Sequence, residues 1–144
     1  MEALYYLGVK AVIVRDDGQM MLLSIQRKNS DETYWDLPGG RSESDELPLD
    51  TLKREVREET GITQLDDVKH LGMAVSSIKL PGADGRPVGI VFSLYTCHTA
   101  ATQVTPEDRI TIHWCSPQET SDHLKENSDW PAELAETVAG LALK

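Results

Sequence analysis

Only two cysteines occur in the chain, Cys97 and Cys115, too few for a disulfide framework. They form no CxxC metal pair, so each reads as a small buried hydrophobe in a reducing cytoplasm. Positive charge is equally short: 14 Lys and Arg face 24 Asp and Glu, for a net charge of −10. That balance excludes the basic footprint of a general nucleic-acid binder. No apolar run approaches the ~20 residues that span a membrane. The start, Met1-Glu2-Ala3-Leu4, lacks the basic opening of a secretion signal. Repeats and low-complexity segments are absent too. What remains, 144 residues with 40% hydrophobic and 26% charged content, fits one globular domain over 1–144.

Turn signals divide the chain into short elements. Tyr5 to Arg15 is rich in β-formers and stops at Asp16-Asp17-Gly18, a hairpin signal, with Met20 to Arg27 as the returning strand. Lys28 to Thr33 reads as a polar loop, and Trp35–Leu37 as a short strand entering the turn Pro38-Gly39-Gly40. Val68 to Leu80 and Val88 to His98 read as strands on either side of the turn cluster Pro81 to Gly85. Ile110 to Cys115 is a further strand, Ser116-Pro117 opens a short helix, and Pro131 to Leu143 reads as a terminal helix. Strands dominate with helices between them, so the class is α+β, a mixed α/β arrangement.

Pro48–Thr60 reads as a helix, with Pro48 at a first helical position and Gly61 just past the end. Leu49, Leu52 and Val56 give it an apolar face. Glu55, Glu58 and Glu59 crowd one sector beside that face, and two of them sit in the last turn, where the helix dipole disfavours carboxylates. Two like charges ~4 Å apart cost about 1 to 4 kcal/mol. The bland alternatives are a solvated acidic face, or acids tied to Arg54 and Arg57 in pairs worth a few tenths of a kcal/mol. A divalent cation would instead turn the repulsion into attraction, because hard oxygen ligands are what Mg²⁺ and Mn²⁺ accept.

The spacing decides between these. From Gly40 to Ile62 the chain resembles the Nudix box, GX5EX7REUXEEXGU, matching it at Gly40, Glu46, Arg54, Glu55, Val56, Glu58, Glu59, Gly61 and Ile62. A chance match is on the order of one in 10⁹ per starting position. Resemblance to the Nudix hydrolases implies a mixed β-sheet sandwiched between helices, with the box as a loop–helix–loop. It implies Mg²⁺- or Mn²⁺-dependent hydrolysis of a nucleoside diphosphate linked to another group. Glu55, Glu58 and Glu59 match the metal-ligating glutamates, Arg54 would orient Glu55, and Glu46 would brace Arg54. Gly39 and Gly40 would let the backbone approach metal and phosphates. For the acid that activates water, family members use a box glutamate or a later loop acid. Glu107 is the first choice for the latter here, with an idle exposed acid as the alternative.

Two positions depart from many relatives: Leu47 cannot cap the helix, and Asp45 stands where Gly is common. Ser77, Ile78, Lys79 and Leu80 replace the Pro or Tyr that mark ADP-ribose and dinucleoside polyphosphate hydrolases. Trp130-Pro131-Ala132-Glu133 looks like the base-holding Trp-Pro-Asp-Asp segment of oxidised-purine nucleoside triphosphatases, departing at Ala132. Trp130 would stack a base and Glu133 would read its edge; alternatively Trp130 is core and Pro131 starts a helix. Tyr5, Phe92 and Tyr95 read as packing residues, and His70, His98, His113 and His123 receive no role. The expected activity is cleavage of a nucleoside triphosphate, oxidised or not, to monophosphate and pyrophosphate. The alternatives are an ADP-ribose or nucleotide-sugar hydrolase and a non-catalytic nucleotide sensor. Family habit also implies a homodimer, with a small nucleotide as the partner.

Overall fold

The computed structural model describes residues 2–127 and 132–141. Its strands are β1 (Tyr5–Val14), β2 (Met20–Gln26), β3 (Thr33–Asp36), β4 (Gly39–Arg41), β5 (Asp66–Val75), β6 (Leu80–Pro81), β7 (Pro87–His98) and β8 (Ile110–Cys115). Its helices are α1 (Pro48–Thr60), α2 (Pro117–Asn127) and α3 (Ala132–Gly140). β1 is the spine. It runs parallel to β7 along its whole length and antiparallel to β4, and it meets β2 only at Val14↔Met20. β2 in turn pairs with β3 and β8, and β5 closes the far edge beside β7. The sheet is therefore mixed.

Alternation along β1 builds two cores from one strand. Val9, Ala11 and Ile13 pack with Leu52, Val56 and Ile62 at α1. Val12 joins Leu22, Leu37 and Phe92 against Leu124 of α2 and Leu134 and Val138 of α3. Fully burying each such side chain stabilises by about 1.5–3 kcal/mol, so both faces are covered by helices. None of the described helices is long and apolar enough to cross a membrane.

Several expectations needed adjustment. A single strand from Val68 to Leu80 is instead β5 and the short β6. Between them Ser76 Oγ accepts a hydrogen bond from the Ile78 N–H at 3.2 Å, a local turn that competes with the ladder. Gly39 and Gly40, expected in a turn with Pro38, lie instead with Arg41 in a paired strand that carries no apolar period. Leu49 is 46% exposed, and the buried face of α1 is formed by Thr51, Leu52, Val56, Glu59 and Thr60. The termini of α1 match the sequence reading: Leu47 supplies no side-chain cap, and Gly61 takes a left-handed conformation with its N–H on the Arg57 carbonyl at 2.9 Å.

Candidate active site

The turn from β3 into β4 brings Gly39 and Gly40 against the flank of α1. Gly39 N–H donates to Glu59 Oε1 at 2.8 Å, while an ideal Cβ on Gly40 would fall 2.5 Å from the Glu55 carboxyl carbon. Gly40 thus leaves open a groove beside Glu55 that a side chain would fill, while Gly39 meets Glu59 through its backbone amide. Glu59 is 9% exposed. Burial pushes its carboxyl up to about 8, against the pull of the Lys10 ammonium and the Gly39 N–H. Glu55 is also raised by burial, with Arg54 opposing.

Arg54 organises the remainder. Its Nε and Nη2 grip Glu46 at 2.8 and 3.0 Å, its Nη2 also reaches the Arg41 carbonyl at 3.1 Å, and its Nη1 reaches Glu55 at 3.0 Å and Glu58 at 3.3 Å. The bidentate grip, with a hydrogen bond from Thr51 Oγ1, holds the Glu46 carboxyl well below the usual range, at about 2. The brace expected from the box is present. The acidic sector is therefore less repulsive than helical geometry alone suggests, because the single charge of Arg54 is shared with Glu55 and Glu58 and burial favours a neutral Glu59. Among the described residues, no three His, Cys, Asp or Glu side chains already converge as a metal-holding group. The donor set nevertheless suits a hard divalent cation, since carboxylate oxygens flank a groove kept open by glycine.

Arg54→Lys keeps the charge but cannot reproduce the fork. We expect turnover at saturating Mg²⁺ to fall about 10- to 100-fold, the range for losing the support of a ligand, with a circular dichroism spectrum like the parent's. Parent-like turnover would show that the fork does not orient Glu55.

Asp45 adopts φ +64°, the left-handed conformation that explains why glycine is common there; Asp tolerates it better than most residues. Glu107 is exposed, but its N–H donates to the Glu59 carbonyl at 3.0 Å, which sets its loop across the last turn of α1. Trp130 lies outside the described residues, as does the side chain of Glu133. Of the four histidines, His113 and His123 pack on Trp35 and His70 on Tyr95, while His98 pairs with Asp16.

One cleft is bordered by a glutamate of the motif, and a second is not. The first, of about 340 Å³, lies between Tyr6, Arg41, Arg54 and Glu55. The second, of about 180 Å³, is lined by Tyr34, Trp35, Asp36, Ile78, Leu80 and Phe92, together with Lys10. Sequence reasoning missed Lys10, Tyr34 and Asp36 and gave Phe92 to packing alone. The available signal was a lone cation inside the apolar strand Tyr5–Val14.

A NUDIX domain model matches residues 4–138. A MutT-like protein of Streptomyces ambofaciens is 33% identical over 125 residues, spanning 85% of this chain and 71% of that one. The CTP pyrophosphohydrolase of Escherichia coli (strain K12) is 27% identical over 125 residues, 85% of each. The crystal structure of a MutT protein from Methanosarcina mazei Go1 superposes with a TM-score of 0.71 at 25% identity, over 99% of this chain and 96% of that one. With the glycine groove, its glutamates and the Arg54 brace in register with the motif, the chain belongs to the Nudix family and is a Nudix pyrophosphohydrolase.

Proposed function

We propose that the chain hydrolyses a nucleoside triphosphate, oxidised or not, to the monophosphate and pyrophosphate with the help of Mg²⁺ or Mn²⁺. The observation that carries this reading is the link between an aromatic cleft and the glutamate groove through the Gly39 turn. Lys10 lines that cleft and bonds the Gly39 carbonyl, while the Gly39 N–H bonds Glu59. A base between Tyr34, Trp35 and Phe92 would direct its phosphates toward Gly39 and Gly40. The triphosphate named by the CTP pyrophosphohydrolase relative supports this substrate class.

Glu55, Glu58 and Glu59 would hold the cation, which supplies charge stabilisation to the phosphoryl oxygens. Each of Glu55 and Glu58 gives one oxygen to Nη1 of Arg54 and keeps the other for a cation, while the remaining guanidinium nitrogens on Glu46 hold Arg54 in place. Gly39 and Gly40, bare of side chains, let the chain lie close against the phosphates. Glu107, exposed beside the last turn of α1, is the candidate to take the proton of the attacking water, and Trp130 and Glu133 remain candidates for holding the base.

Incubation with Mg²⁺ and a panel of ordinary and oxidised nucleoside triphosphates plus ADP-ribose, read by mass, tests the proposal. The expected products are a nucleoside monophosphate and pyrophosphate. AMP from ADP-ribose with triphosphates untouched would overturn the substrate class. Tight binding without turnover across the panel would overturn the enzymatic reading for a sensor.

A further inference from the structure

Lys10 is 6% exposed in the middle of an apolar strand, an expensive place for an ammonium. Its Nζ donates to Asp36 Oδ2 at 2.9 Å, the Leu37 carbonyl at 3.1 Å and the Gly39 carbonyl at 3.3 Å. All three acceptors lie on the single stretch that turns from β3 into β4. By strand alternation Lys10 shares the face of Val12, which packs toward α2 and α3, opposite to Val9 and Ala11, which pack toward α1. Glu59 reaches the same turn from the α1 side through the Gly39 N–H. Gly39 is therefore gripped from both faces of the sheet, its N–H by Glu59 and its C=O by Lys10.

Replacing the whole Lys10–Asp36 pair with apolar side chains of similar volume would cost little stability, and such replacements often bring a gain, whereas removing Lys10 alone strands Asp36. Packing alone does not call for the charge. We propose that Lys10 is a positioning residue: its ammonium fixes the 36–39 turn so that the Gly39 N–H stays aimed at Glu59, and thereby ties the aromatic cleft to the glutamate groove. Because Lys10 and Asp36 both line the cleft, a molecule seated there bears on the same ammonium that holds Gly39. The inference rests on Glu59 being one of the metal-facing acids.

Lys10→Met and the double variant Lys10→Met with Asp36→Asn, which leaves no uncompensated carboxylate, test it. Two quantities are read: amide exchange at Gly39 in the metal-free protein, and kcat and KM with Mg²⁺ on the triphosphate the parent cleaves fastest. Both variants are expected to exchange the Gly39 amide about tenfold faster. Their kcat falls about 10²-fold, as a misplaced group costs, with KM within about threefold. If Lys10 served only to neutralise Asp36, the double variant would regain parent exchange and kcat, which overturns the proposal. Parent-like values in Lys10→Met alone also overturn it. Should that variant fail to fold, the double variant decides by the same two readings. A parent protein without Mg²⁺-dependent turnover would sink the proposed hydrolysis, while the Gly39 exchange still judges Lys10.

Discussion

Glu59→Gln is expected to cut Mg²⁺-dependent turnover by about 10³-fold or more while making the metal-free protein more stable at pH 8. The amide oxygen of Gln can still accept the Gly39 N–H, so the groove keeps its shape. The stability gain follows from linkage. Burial raises the Glu59 carboxyl to about 8, from an ordinary value of 4.5. Between those two values the folded state holds a proton that the unfolded state has released, so stability falls as pH rises through this window and levels off above it. The loss amounts to at most about 5 kcal/mol, the equivalent of the roughly 3.5 pKa units between those values. Gln carries no such titration. Denaturant unfolding without metal should find parent and variant alike near pH 4 and the variant ahead at pH 8. A variant that keeps its turnover, or one less stable than the parent at pH 8, would defeat this account of Glu59. The same linkage makes divalent-cation affinity climb with pH up to about 8 in the parent, since the ligand must lose its proton.

Gly39→Ala is expected to damage the fold itself. Gly39 holds φ +139°, and a Cβ there would lie 2.0 Å from the Val9 carbonyl oxygen and 2.9 Å from the Lys10 Cα. Both are backbone atoms of β1, so no rotamer change relieves the contact. The pairing of β4 with β1 at Lys10↔Gly39 must open. Backbone strain and overpacking together cost more than about 3 kcal/mol, a fall in Tm of about 10 °C for a chain of this size. Gly40→Ala provides the contrast. The atoms nearest its Cβ would all belong to the flexible carboxylate of Glu55, so thermal stability should hold while turnover drops. Equal Tm values for Gly39→Ala and the parent would mean that the turn is not constrained by β1.

What could be read in advance was what lies close along the chain. The bounds of α1, the Gly61 terminus and the Glu46–Arg54–Glu55 brace all fall within one motif, where helical spacing fixes geometry. Leu49 misled because the apolar spacing of Leu52 and Val56 does not say on which side of them the buried face continues; it continues through Thr51, and Leu49 stays exposed. β4 escaped notice because Gly-Gly-Arg has neither β propensity nor alternation, and only its pairing with β1 makes it a strand. Lys10 escaped for a similar reason. Its partners Asp36 and Gly39 lie far along the chain, and nothing local announces a contact of that range. The cleft joins residues from β1, β3, β6 and β7 with the stretch between β5 and β6, so it exists only once the sheet is assembled.

The two ends of α1 are secured very differently. At its tail, the Thr105 and Glu107 amides donate to the carbonyls of Thr60 and Glu59 at 2.8 and 3.0 Å, and the loop carrying them leads straight into β8. At its head, Leu47 offers no side-chain acceptor to the first amides. Thermal fraying should therefore be confined to Pro48–Asp50, ahead of the buried Thr51 and Leu52, leaving the glutamates on the anchored part of the helix.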